Sequence, residues 1–83
     1  TQALKVFPNP AKGTVNLSIN SADIDQAYVS IYDINGREMI DQVYQVEPGK
    51  NQFSFETASW SRGLYMIIVK TGGEMVTEKL LLE

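Results

Sequence analysis

The chain has 83 residues, 43 % of them hydrophobic, with no cysteine, no histidine and a net charge of −3 from seven basic and ten acidic side chains. This is one domain near the lower limit of independent folding, and its core must come from apolar burial alone because no disulfide can staple it. The acidic balance, spread along the chain, argues against nucleic acid as a partner, and the lack of histidine and cysteine removes the commonest general base, the thiol nucleophile and the usual zinc ligands.

Pro8-Asn9-Pro10-Ala11-Lys12-Gly13 stands at the head. Its prolines fix the chain direction ahead of a strand, and Asn9, held extended by the proline that follows it, is placed to hydrogen-bond a neighbouring turn. Val15, Leu17 and Ile19 alternate with Asn16, Ser18 and Asn20, the pattern of a half-buried strand. Asp23-Ile24-Asp25 resembles a calcium loop only superficially, since the glycine and distal glutamate of such a loop are missing, and is read as a solvated acidic turn. Val29 and Ile31 resume the alternation. Asn35-Gly36 then supplies a two-residue type I′ hairpin connection, with Asp33 and Arg37 close enough to pair across it.

The returning strand runs from about Arg37 to Tyr44 and ends ahead of the Pro48-Gly49 turn. Phe53 and Phe55 face one way, Ser54 and Glu56 the other. Trp60 lies in a connection, where it plugs the end of the fold just before a bend at Gly63. Tyr65 is expected to bury its ring and send its hydroxyl back to a loop carbonyl, as in the tyrosine corner of sandwich folds. Leu64 to Val69 is apolar at nearly every position, as expected where both faces of a strand are covered or where a large residue leans over an edge, and is read as a central strand. Gly72-Gly73 closes the last hairpin, and Met75 to Leu82, interrupted by Lys79, forms the final strand.

No segment carries helical apolar spacing, and turns recur every 8–12 residues or so. The fold class is therefore all-β: about seven short strands in an immunoglobulin-like antiparallel β-sandwich. No apolar run approaches the roughly 20 residues of a membrane-spanning helix, and Thr1-Gln2-Ala3-Leu4 lacks the build of a secretory signal. With no initiator Met, residues 1–83 are read as a single domain excised from a longer protein. Chemistry is sparse. Ser59 and Ser61 have no base partner, the glycine spacings of phosphate loops are missing, and Tyr28, Tyr32, Tyr44 and Tyr65 serve as strand residues, so no catalytic, cofactor or metal site is expected.

Four ordered segments carry a resemblance: Phe7 to Gly13, Val29 to Arg37, Gly63-Leu64-Tyr65 and Glu78-Lys79-Leu80-Leu81. Together they make the chain, from about Leu4 to Leu82, resemble the C-terminal sorting domain of the type IX secretion system of Bacteroidetes. The resemblance implies a non-enzymatic signal that follows an N-terminal cargo domain. It would fold in the periplasm, be read by the outer-membrane translocon and commonly be removed by an outer-membrane sortase, leaving the cargo at the cell surface or outside the cell. Pro8, Asn9, Pro10 and Gly13 match the head motif, Asp33, Gly36 and Arg37 the middle one, and Gly63, Tyr65, Lys79, Leu80 and Leu81 the terminal ones. Two positions depart from the family pattern, which favours a basic last residue where this chain has Leu82-Glu83 and an apolar residue at Thr57.

An exposed final strand would offer backbone groups for strand addition to a partner, and would predispose the isolated domain to dimerise or swap strands. The competing readings are a fibronectin- or immunoglobulin-like spacer or adhesion module, and a carbohydrate-binding module. The latter would need several of Tyr28, Tyr32, Tyr44 and Trp60 on one exposed face.

Overall fold

Period-two alternation sends Val15, Leu17 and Ile19 to one side of their strand, and in the computed structural model, which describes residues 3–83, that side is the middle of a two-layer sandwich. Thr1 and Gln2, the start of the expected domain, lie outside the described residues. Seven strands form: β1 (Ala3–Phe7), β2 (Thr14–Ser21), β3 (Asp25–Asp33), β4 (Glu38–Val46), β5 (Gly49–Glu56), β6 (Gly63–Thr71) and β7 (Glu74–Leu82). They pair antiparallel in a three-stranded sheet, β1-β2-β5, and a four-stranded sheet, β4-β3-β6-β7. The sandwich and its immunoglobulin-like course are as the alternation and turn spacing require. The strand led by Val15 is the second one, because β1 precedes the proline segment and tucks Leu4 and Val6 against the core.

The core interleaves Val15, Leu17 and Ile19 of the first sheet with Ala27, Val29, Ile31, Val46, Tyr65, Ile67, Val69, Leu80 and Leu82 of the second. Deleting any large member would remove transfer energy and leave a cavity, at about 2–5 kcal/mol for leucine or isoleucine to alanine. The chain passes between the sheets at Pro48-Gly49, where Gly49 takes a φ of 100°. There the Asn51 amide donates to the carbonyls of Glu47 (2.8 Å), Gly49 (3.2 Å) and Ile19 (3.3 Å), while its oxygen accepts from the Glu47 N–H (3.0 Å). Tyr44 stacks on Phe53 at 4.2 Å, closing the same side of the sandwich with apolar contact.

Two local expectations are corrected. Among the described residues no non-glycine has a positive φ, so Asn35-Gly36 does not form a type I′ turn, which needs positive φ at both positions. Instead the Gly36 N–H donates to the Asp33 carbonyl (3.0 Å), the Asp33 N–H donates to the Arg37 carbonyl (2.9 Å), and Gly36 alone turns left-handed at 84°. This is the three-residue loop with a terminal glycine bulge. Asp33 favours it because its carboxylate accepts from the Asn35 (2.9 Å) and Arg37 (2.8 Å) N–H groups. Second, β6 is central but covered on one face only. Tyr65, Ile67, Val69 and Thr71 are buried, while Leu64, Met66 and Ile68 lie on the outer face of the sheet with Leu64 42 % exposed.

Candidate functional site

At one end of the sandwich the strand register sets Asp33 of β3 beside Tyr65 of β6, and Tyr65 beside Leu80 of β7. The head segment completes this band. The Asn9 amide nitrogen donates to the Lys79 carbonyl (2.8 Å), and its oxygen accepts the Leu81 N–H (3.1 Å). Two residues on, the Ala11 N–H donates to the Leu81 carbonyl and the Glu83 N–H to the Ala11 carbonyl, both at 2.9 Å, making a parallel bridge between Ala11 and Leu82. A clasp of four hydrogen bonds thus joins residues 70 positions apart. The short Asn9 side chain can mimic a backbone amide here because Pro10, like any proline, has no N–H to offer the tail.

All four sequence segments meet in this band, with different exposure. Pro8, Asn9 and Pro10 are exposed, and the peptide bonds preceding both prolines are cis. Ala11 is buried at 1 % and fastens the segment to the core. The Gly13 carbonyl accepts both the N–H (3.1 Å) and the hydroxyl (2.6 Å) of fully buried Thr57. Those bonds account for a polar residue at a position where an apolar one was expected. A Cβ on Gly13 would meet nothing within 4 Å.

Asp33 and Gly36 shape the β3–β4 turn, while the exposed Arg37 guanidinium lies 3.6 Å from the Asp33 carboxylate, a contact that adds little stability at the surface. Gly63 has a φ of 142°, which strains any residue with a side chain. Tyr65 buries its ring and donates its hydroxyl to the Ser61 carbonyl at 2.6 Å. Leu80 is core, whereas Lys79 and Leu81 face outward, Leu81 across from Leu64.

Arg62 is the residue sequence reasoning missed. Its guanidinium donates to the carbonyls of Thr57 and Trp60 (both 2.7 Å), Lys12 and Glu83 (both 3.3 Å), tying the head loop, the β5–β6 connection and the tail together. Five donors in a planar fork suit such a cluster of carbonyls. The sequence signal is faint, a lone cation between Ser61 and Gly63. Beneath it Trp60 packs between Phe55 (5.8 Å) and Tyr65 (5.2 Å), plugging the sandwich end.

The band holds backbone-anchoring amides, a guanidinium and apolar anchors. Among the described residues no three His, Cys, Asp or Glu side chains gather to hold a metal ion. Asp23 sits in a turn where the Ser21 hydroxyl donates to the Asp23 carbonyl (2.7 Å) and accepts its N–H (3.3 Å). Of the four aromatics considered for sugar binding, only Tyr28 and Tyr32 share an exterior face, since Tyr44 stacks on Phe53 and Trp60 plugs the end.

A family model described as the secretion system C-terminal sorting domain matches residues 5–83. The chain belongs to this family. As a type IX sorting domain it marks an attached cargo for secretion to the cell surface or the extracellular space. Among solved structures, dimeric latent PorU from Porphyromonas gingivalis superposes with a TM-score of 0.74 over 99 % of this chain and 9 % of its own, at 16 % identity. A β-glucosidase from Listeria innocua in complex with isofagomine gives 0.51 over 99 % of this chain and 16 % of its own, also at 16 % identity. The sorting domain thus spans a small fraction of the proteins whose fold it shares, and these likenesses speak to the sandwich alone. No match was found among curated proteins.

Proposed function

We propose that the sorting domain directs its N-terminal cargo through the outer-membrane type IX translocon as a folded, non-catalytic label. In this reading it folds in the periplasm, is recognised by the translocon and an outer-membrane sortase, and is removed by the latter. The observation that carries the reading is the band itself. The four segments that carry the resemblance to the family are far apart in sequence and adjacent in space, with buried anchors beneath an exposed rim. Gly36, Gly63, Tyr65 and Leu80 hold the shape, while Pro8, Asn9, Pro10, Arg37, Lys79 and Leu81 present the surface a receptor meets.

Strand addition to β7 operates on less edge than its position suggests. From Lys79 to Glu83 the outward backbone groups are occupied by Asn9 and Ala11, so a partner strand must pair nearer Met75 and Thr77 or displace the clasp. Fusing the chain to a periplasmic reporter, in bacteria with and without the translocon, tests the function. Export that requires both supports it; reporter retained in the periplasm of the translocon-bearing strain refutes it. Gly13→Ala separates recognition from folding, since the vacant space at its Cβ keeps the change within about 0.5 kcal/mol. Impaired export of that stable variant assigns Gly13 to recognition.

A further inference from the structure

The two outer faces of the sandwich differ in kind. That of the three-stranded sheet carries Lys5 and Gln52 on either side of buried Ser18 in one row and Phe7, Asn16 and Ser54 in another, with Phe7 the one large apolar side chain among them. That of the four-stranded sheet is apolar through its middle, and Tyr28 (49 %), Val43 (51 %), Leu64 (42 %), Leu81 (39 %) and Met75 (63 %) stand exposed around half-buried Met66 and Ile68. An apolar surface of this extent on a small domain marks a contact site.

We propose that this face is where two copies of the domain stack, sheet against sheet, about a twofold axis parallel to the strands. The argument is the charge and shape pattern of its rows. In register across β4, β3, β6 and β7, one row reads Glu38, Tyr32, Met66, Lys79; the next reads Asp41, Ser30, Ile68, Thr77; the third reads Val43, Tyr28, Lys70, Met75. Acidic groups occupy the β4 side and basic groups the β6–β7 side.

A twofold axis along the strands keeps each row opposite itself and reverses its order. Glu38 then faces the second copy's Lys79, Asp41 its Thr77, Tyr32 its Met66 and Tyr28 its Lys70. Those are an ion pair, a hydrogen bond, a sulfur–aromatic contact and a cation–π contact, each made twice, while Ile68 faces the second copy's Ser30 and Val43 its Met75. Antiparallel sheets pack in this aligned way at about 10 Å, with twist rotating one sheet about 30° on the other. Rotation about an axis perpendicular to the strands would break the row-to-row match. The Tyr32 hydroxyl, which donates to Glu38 at 3.3 Å within one copy, already points the carboxylate along its row.

The terminal-edge route to dimers competes directly, and the clasp on Lys79 to Glu83 works against it. Sedimentation equilibrium on the 83-residue chain over a micromolar-to-millimolar range decides between the two, with thermal unfolding confirming that each variant folds. Wild type is expected to dimerise reversibly. Glu38→Lys and Lys79→Glu, both at exposed positions, each oppose like charges twice per dimer and raise the dissociation constant by about tenfold. The double variant Glu38→Lys/Lys79→Glu restores the wild-type constant. A strictly monomeric wild type, dimers indifferent to the single reversals, or a double variant no tighter than the singles would each overturn the proposal; the last two would point to strand exchange or to another face.

Discussion

Replacing Asn9 by alanine removes two hydrogen bonds from the clasp and leaves the pair made by Ala11 in place. Each lost bond contributes roughly 0.5–1.5 kcal/mol, and exposure puts these toward the low end, so the variant loses about 1–2 kcal/mol. For a domain of this size 1 kcal/mol moves the melting temperature by about 4–8 °C, so a drop on the order of 5–10 °C is expected by circular dichroism. Amide exchange gives the local signature. The Leu81 N–H, which donates to Asn9 Oδ1, should lose protection, while Leu80, paired with Tyr65 inside the sheet, should keep it. Asn9→Asp provides the contrast. It retains an acceptor for Leu81 but sets a carboxylate against the Lys79 carbonyl, so Leu81 stays protected although the protein melts earlier. Unchanged Leu81 exchange in Asn9→Ala, together with an unchanged melting temperature, would refute the clasp.

Gly63→Ala should cost about 1–3 kcal/mol in denaturant titration, because a φ of 142° strains any side-chain-bearing residue even though a Cβ there meets no neighbour. Thr71→Val should leave stability unchanged or raise it by about 1 kcal/mol, since the buried Thr71 hydroxyl has no hydrogen-bond partner and valine matches its shape. Removing Lys79 to Glu83 takes Leu80 (0 % exposed) and Leu82 (2 %) out of the core. At about 2–5 kcal/mol each this consumes much or all of a domain's ~5–15 kcal/mol, and the truncated domain should lose its cooperative melt. Loss of export on that deletion would therefore report unfolding, and exposed substitutions are needed to probe recognition.

The strands were legible wherever alternation was clean. Val15-Leu17-Ile19 and Phe53-Phe55 announce their buried faces, and Gly72-Gly73 marks a two-residue link between β6 and β7. Legibility failed where a side chain's partner lies far along the chain. Nothing near Asn9 in sequence says that its amide will meet Lys79 and Leu81, and nothing near Arg62 reveals four carbonyls from three segments. The Asn35-Gly36 turn was misread because Asn-Gly is compatible with two loop lengths, and the choice was made by the Asp33 carboxylate two residues earlier. The apolar run in β6 suggested burial on both sides, when its outward residues instead form the middle of an open face.

Parallel alignment of the head segment with β7 fixes how the domain bears mechanical load. A cargo pulled from ahead of Ala3 while the tail is gripped past Leu82 draws the two segments along each other in opposite directions. Under that sliding stress the four clasp bonds resist in concert, where a peeling geometry would part them one by one. The label is thus built to hold against tension along its own axis, and the easier way to open it is a sideways tug that lifts Asn9 away first.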